Sequence, residues 1–129
     1  MNLENPKENS LLLSKLKKTW FIDIDGTLLV HNSDLETKDD EIILSSLEFI
    51  KTIKDDVIIL TTSRSEKFKE KTETFLSLHN IRYDQIIYNL PYGERILVND
   101  NKQSGLKTAY SISLKRNAGI NLRVILTEI

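Results

Sequence analysis

Two apolar runs in this chain end so abruptly in polar residues that they limit the kind of sheet it can build. Trp20-Phe21-Ile22-Asp23-Ile24 leads into Asp25-Gly26-Thr27, and Val57-Ile58-Ile59-Leu60-Thr61 leads into Thr62-Ser63-Arg64. Short apolar runs bounded by turn signals read as strands buried on both faces, the mark of a parallel sheet covered by helices. Between them, Ile43, Leu47, Ile50 and Lys54 fall at helical spacing, with Ile42, Phe49 and Ile53 on the flank. Thr37 and Asp40 resemble a capping box ahead of that helix, and Asp55-Asp56 breaks it. Ser65 is placed to cap a second helix that carries Phe68, Phe75, Leu76 and His79 toward the core, with Asn80 as a left-handed stop.

The rest of the chain extends the alternation. Gln85–Tyr88 reads as a third strand, Arg95–Val98 as a fourth and Thr108–Leu114 as a fifth. Leu122–Glu128 reads as a last short helix, and residues 1–18 as a leader or a short helix from Ser10 to Lys18. Residues 19–129 then form one domain, which suits a chain of 129 residues. The expected class is α/β, with helices on both faces of a five-stranded, mostly parallel sheet. Ligands of such sheets bind beyond the carboxyl ends of the strands. That rule picks out Asp23–Thr27, Thr61–Arg64 and Asn99–Lys102.

Composition narrows the chemistry. There is no Cys, which removes disulfides, thiolate nucleophiles and zinc–thiolate sites. His31 and His79 are the two histidines, too few for a His-built metal site. A net charge of -1 argues against general polyanion binding, so nucleic acid is not an expected partner. The sequence shows no signal peptide and no apolar stretch approaching the ~20 residues of a membrane span. A cytoplasmic setting without a membrane is the expectation, and homo-oligomerisation stays open.

Asp23 and Asp25 are two residues apart on one strand, so their carboxylates reach the same side. Two acids there repel one another unless a cation or donors meet them. Mg²⁺ would offset that repulsion and keep Asp23 ionised. An ionised carboxylate is a competent nucleophile toward phosphorus, and a second one can pass a proton to the leaving group and later take one from water. Gly26 lets the chain turn so that backbone amides face phosphoryl oxygens.

Asp23-Ile24-Asp25-Gly26-Thr27-Leu28 resembles the first motif of the haloacid dehalogenase-like phosphatases. The resemblance runs from Thr19 to Leu114 in motif order. It implies a Rossmann-like three-layer core with sheet order 5-4-1-2-3 and Mg²⁺-dependent phosphoryl transfer through an aspartyl intermediate. In it Asp23 is nucleophile and metal ligand, while Asp25 is acid/base and binds metal through its backbone carbonyl. The second motif falls on Thr62-Ser63-Arg64, which assigns phosphate binding to Thr62 and Ser63. The fourth falls on Asn99-Asp100, making Asp100 the remaining metal carboxylate and Asn99 its neighbour. Asn99 departs from the pattern, since an acid is common there. The third motif is a Lys in the family; Arg95 is the candidate here, with Lys102 and Lys71 behind it. The chain has no room for a cap domain. The capless relatives it looks most like are small phosphatases of capsule and surface-polysaccharide synthesis, which implies a phosphosugar or similar small phosphate ester. Two alternatives are a polynucleotide end-phosphatase and a non-catalytic module that binds a phosphorylated ligand.

Overall fold

Pairing of the two apolar runs builds the centre of the molecule. A computed structural model describes residues 9–128. Its elements are β1 (Asn9–Ser14), β2 (Thr19–Asp23), α1 (Leu44–Thr52), β3 (Val57–Thr61), a 3₁₀ turn (Glu66–Phe68), α2 (Lys69–Leu78), β4 (Gln85–Ile87) and β5 (Leu122–Thr127). β2 and β3 pair in parallel from Thr19 opposite Val57 to Asp23 opposite Thr61. β4 adds to the far side of β3, also in parallel. β1 and β5 form a second parallel pair, from Asn9 opposite Leu122 to Ser14 opposite Thr127.

The fold is thus α/β with parallel sheets, but the expected five-stranded sheet is replaced by two small ones, β2-β3-β4 and β1-β5. Four expected elements change with it. Ser10–Lys18 and Leu122–Glu128 hold strands rather than helices. In β5 the partly buried Leu122 and Val124 pack toward the core while Arg123 and Ile125 stay outside, a period of two. Arg95–Val98 and Thr108–Leu114 form no strand, and Ile96 and Val98 are 82% and 88% exposed. Residues 1–8 of the expected leader lie outside the described residues.

The core collects Ile22 and Ile24, Leu28 and Leu29, Phe49 and Ile50 of α1, Ile58 and Leu60 of β3, and Leu76 of α2. Each such side chain contributes about 1.5–3 kcal/mol when fully buried. Asp56 ties the start of β2 to the end of α1. It accepts the Trp20 indole N–H at 2.8 Å and the Lys18 backbone N–H at 3.1 Å, and the Trp20 ring stands edge-on to Phe49 at 5.4 Å. Asp84 does the same for β3, accepting the Ile58 N–H at 2.8 Å. These polar anchors sit at the amino ends of the strands and leave the carboxyl ends for chemistry.

α1 begins at Leu44 with Ile43 as its cap residue, later than the Thr37–Asp40 capping box predicts. Asp34 instead accepts the Thr37 N–H at 3.2 Å and its hydroxyl, closing a local turn. Asn80 has φ 55°, the left-handed stop expected after α2. Among the described residues no helix is long and apolar enough to cross a membrane.

Candidate active site

Asp23 closes β2, and the ladder runs one residue further through Ile24 N–H to Thr61 O at 2.9 Å. The chain then turns sharply. Leu28 and Leu29 both donate to Ile24 O at 3.0 Å, and Gly26 takes φ +88°. A side chain at Gly26 would be strained in that conformation, and its Cβ would lie 3.2 Å from Arg116 Cγ. The Gly26 N–H donates to Leu29 O at 2.7 Å, so this amide is spent on the turn.

The turn delivers the Asp25 side chain to the end of β3. There Thr62 Oγ1 donates to Asp25 Oδ2 at 2.7 Å, and Arg64 Nε donates to Asp25 Oδ1 at 2.9 Å. Thr62 Oγ1 also accepts the Arg64 backbone N–H at 3.0 Å. The far side of the Arg64 guanidinium forks onto Asp40, with Nη2 to Oδ1 at 2.7 Å and Nη1 to Oδ2 at 3.1 Å. Nη1 also reaches the buried Thr72 hydroxyl at 2.8 Å. The Arg64 and Asp40 side chains are almost wholly buried. Burial alone would lower the Arg64 pKa, but hydrogen bonding to Asp40 and the charges of Asp25 and Asp40 outweigh it and push the value up. The guanidinium is a fixed cation under the site.

Asp23 lies beside this network and is a third exposed. Burial raises its pKa above the usual carboxylate range; Arg95 opposes that and the neighbouring Asp25 adds to it. Arg95 Nη1 stands 3.3 Å from Asp23 Oδ1, and Nη2 stands 3.3 Å from Ser63 Oγ. Both members of the Arg95–Asp23 pair are partly solvated, so it contributes at most about 1 kcal/mol and breaks readily.

The structure therefore brings together Asp23, Asp25, Gly26, Thr62, Ser63 and Arg95. Asn99 and Asp100 stand apart, on an exposed excursion of the chain, where Asn99 Nδ2 donates to Thr108 Oγ1 at 2.8 Å and the Thr108 hydroxyl donates to the Asp100 carbonyl. Among the described residues no group of three His, Asp or Glu side chains is gathered to hold a metal. Lys71 is occupied by the flap, the segment 27–40 ahead of α1, donating to Leu35 O at 2.6 Å.

Mg²⁺ is commonly held by one or two carboxylates plus water and substrate phosphate. Of the carboxylates assigned to a cation, Asp23 is the one whose side chain is held only by the weak Arg95 contact. Both side-chain oxygens of Asp25 are already engaged.

Asp40 and Thr72 are the site residues that sequence reasoning missed, and Arg64 entered it only as part of a motif. The available signal was Arg64 itself, a cation directly after a buried strand, which needs an acid wherever the fold encloses it. No family model, curated protein or solved structure matches this chain.

Proposed function

We propose that this protein is a Mg²⁺-dependent phosphomonoesterase that works through an aspartyl-phosphate on Asp23. Its substrate in this reading is a phosphosugar or other small phosphate ester of surface-polysaccharide synthesis, met in the cytoplasm. The observation that carries the reading is the meeting of Asp23 and Asp25, from the end of β2, with Thr62 and Arg64, from the end of β3. An acid beside the nucleophile, oriented by two donors, is what two-step phosphoryl transfer requires.

In the first step an Asp23 oxygen attacks phosphorus and the bond to the ester oxygen breaks. Asp25 enters this step protonated, gives its proton to the leaving alkoxide and is left as the carboxylate that Thr62 and Arg64 hold. In the second step Asp25 takes a proton from water as the water oxygen attacks phosphorus. The bond to Asp23 breaks, releasing inorganic phosphate and restoring the carboxylate. Arg95 and the Ser63 hydroxyl are placed to exchange their mutual contact for phosphoryl oxygens, because a guanidinium fork matches them well. Mg²⁺, held by Asp23 and the Asp25 carbonyl, would neutralise phosphoryl charge and so make attack by an anion feasible.

The test is phosphate release from p-nitrophenyl phosphate and a panel of phosphosugars. Turnover that needs Mg²⁺, stops with EDTA and disappears in Asp23→Asn is the expected result. Absence of turnover across the panel, or turnover that survives Asp23→Asn, overturns the reading.

A further inference from the structure

Arg116 packs its side chain on the turn that presents Asp25, and its charge is unmatched. A Cβ built on Gly26 would lie 3.2 Å from Arg116 Cγ, 3.9 Å from Cδ and 3.8 Å from Nε, so the stem runs along the bare face of the glycine and the guanidinium begins there. Gly26 is thus glycine for two reasons, its φ of +88° and the room it leaves for this stem. Other arginines of the chain are met by oxygen. Arg64 and Arg95 each reach an acid, at 2.9 and 3.3 Å, and Arg82 donates to the carbonyls of Ile53 and Asp56 at 2.9 Å. The Arg116 side chain is exposed and, among the described residues, makes no ion pair or hydrogen bond.

Its backbone is nevertheless held in place. The next residue, Asn117, donates its N–H to Gly26 O at 2.8 Å and accepts the His31 N–H on its side-chain oxygen at 2.7 Å. A left-handed φ of 66° at Asn117 and the Ala118 N–H to Lys115 O bond at 3.1 Å close the turn around it. Ile120 N–H donates to the buried Ser46 Oγ at 3.1 Å. One segment therefore ties the Gly26 turn, the flap and α1 together, and it carries Arg116 to the mouth of the site. A cation anchored there in advance lowers the ordering cost of binding an anion.

The phosphoryl group already has its donors. Ser63 and the Arg95 fork serve its oxygens in the proposed reaction, and the far side of Arg64 is closed by Asp40. A further guanidinium, reaching the mouth from the flap side, suits an anion carried elsewhere on the substrate. Its fork matches a carboxylate or a phosphate equally.

We infer that Arg116 binds a second anionic group, one borne by the leaving alcohol, so that the site prefers an acidic phosphate ester to a neutral one. This rests on the phosphatase reading and narrows its substrate to a phosphosugar with a carboxylate or a second phosphate.

Matched esters test it. Phenyl phosphate and carboxyphenyl phosphate differ by a carboxylate; a hexose monophosphate and its bisphosphate differ by a phosphate. With Mg²⁺, wild type is expected to show a KM about 10-fold lower for the acidic member of at least one pair, with kcat little changed. The pair that shows it names the anion. Arg116→Gln, folded by circular dichroism, is expected to abolish the difference, and Arg116→Lys to restore part of it. Arg123→Gln makes the same change in net charge on β5, in the other sheet, and is expected to keep it. Equal wild-type KM values within both pairs overturn the inference. So does an Arg116→Gln chain whose KM rises alike for both members, which would put Arg116 on the phosphoryl group. Both results leave the phosphatase reading standing. A wild type that hydrolyses no ester overturns that reading and this inference with it.

Shielding gives a readout without turnover. On Asp23→Asn, which keeps the esters intact, the acidic member is expected to protect Arg116 from phenylglyoxal, read by peptide mass spectrometry, while Arg123 reacts throughout. Equal modification of Arg116 with the acidic and the neutral esters overturns the inference.

Discussion

Arg64 closes its guanidinium fork on Asp40, with contacts of 2.7 and 3.1 Å, and both side chains are almost wholly excluded from solvent. Asp40 closes the flap before α1 and Arg64 follows β3, so one ion pair locks the flap to the sheet. Breaking a buried pair by removing one partner costs about 3–5 kcal/mol, because a charge is left without compensation. Asp40→Asn is expected to lower stability by that amount in urea denaturation. A loss under about 1 kcal/mol would mean that Asp25 and the Thr72 hydroxyl, which the guanidinium also reaches, compensate Arg64 without Asp40.

Thr62 is the hinge between this lock and the proposed chemistry. Its hydroxyl donates to Asp25 and accepts the Arg64 N–H, and the residue is fully buried. Thr62→Val keeps the shape and leaves both polar partners short of a bond. The expected cost is about 1–3 kcal/mol in stability. Phosphatase turnover is expected to fall by about 10- to 100-fold, the usual effect of losing an orienting partner. Turnover equal to wild type would show that Arg64 alone positions Asp25.

Much of this arrangement is legible in the sequence. Trp20–Ile24 and Val57–Thr61 declare themselves as strands because an apolar run cut short by Asp or Thr has few other uses. Asp23, Asp25 and Thr62 follow from them, since strand ends in parallel pairs converge. The Arg64–Asp40 pair is illegible because no short-range pattern encodes a contact between residues 24 apart. Asp40 has a plausible local use as part of a capping box, and tertiary pairing overrides it. Leu11-Leu12-Leu13 has no period, so strand and helix are indistinguishable until β5 appears beside it. Ile96–Val98 reads as a strand by composition, yet it lies exposed and pairs with no strand among the described residues, because composition does not say whether a partner edge is within reach.

Gly119 is expected to resist substitution. It has φ +92°, and a Cβ there would lie 1.9 Å from Ser45 Oγ and 3.1 Å from Ile43 Cγ2. Next to it, Ile120 N–H donates to the buried Ser46 Oγ at 3.1 Å, so this is where the segment ahead of β5 is fastened to α1. Gly119→Ala is expected to cost at least about 1–3 kcal/mol from backbone strain alone. Gly93→Ala serves as the control, with nothing within 4 Å of a new Cβ. Equal thermal midpoints for the two variants would refute the fastening.

Mg²⁺ should stabilise the folded chain through Asp23. The cation offsets the repulsion between two neighbouring carboxylates in the native state and finds no such pair when the chain is unfolded, so binding raises the midpoint of thermal unfolding. Scanning calorimetry with millimolar Mg²⁺ is expected to show an upward shift for wild type and none for Asp23→Asn. An identical shift in both would place the bound ion elsewhere.

Tyr88 offers a reading of the fold at high pH. Its hydroxyl donates to Glu73 Oε2 at 2.9 Å. Burial, then that bond and the Glu73 charge, push the phenol well above its ordinary value of 10.0. Burial raises Tyr83 as well. The native state thus keeps a proton that the unfolded chain gives up. Stability from Tyr88 is fully present below pH 10.0 and is lost as pH rises from there toward its native pKa. Replacing Glu73 with Gln removes the charge but keeps an acceptor, so the Tyr88 phenol should ionise at lower pH, seen as earlier phenolate absorbance in an alkaline titration of Glu73→Gln against wild type. Tyr88→Phe, which has no phenol to titrate, should lack that component and show a flatter fall of stability over the same range. If Glu73→Gln titrates like wild type, the contact with Glu73 does not govern Tyr88.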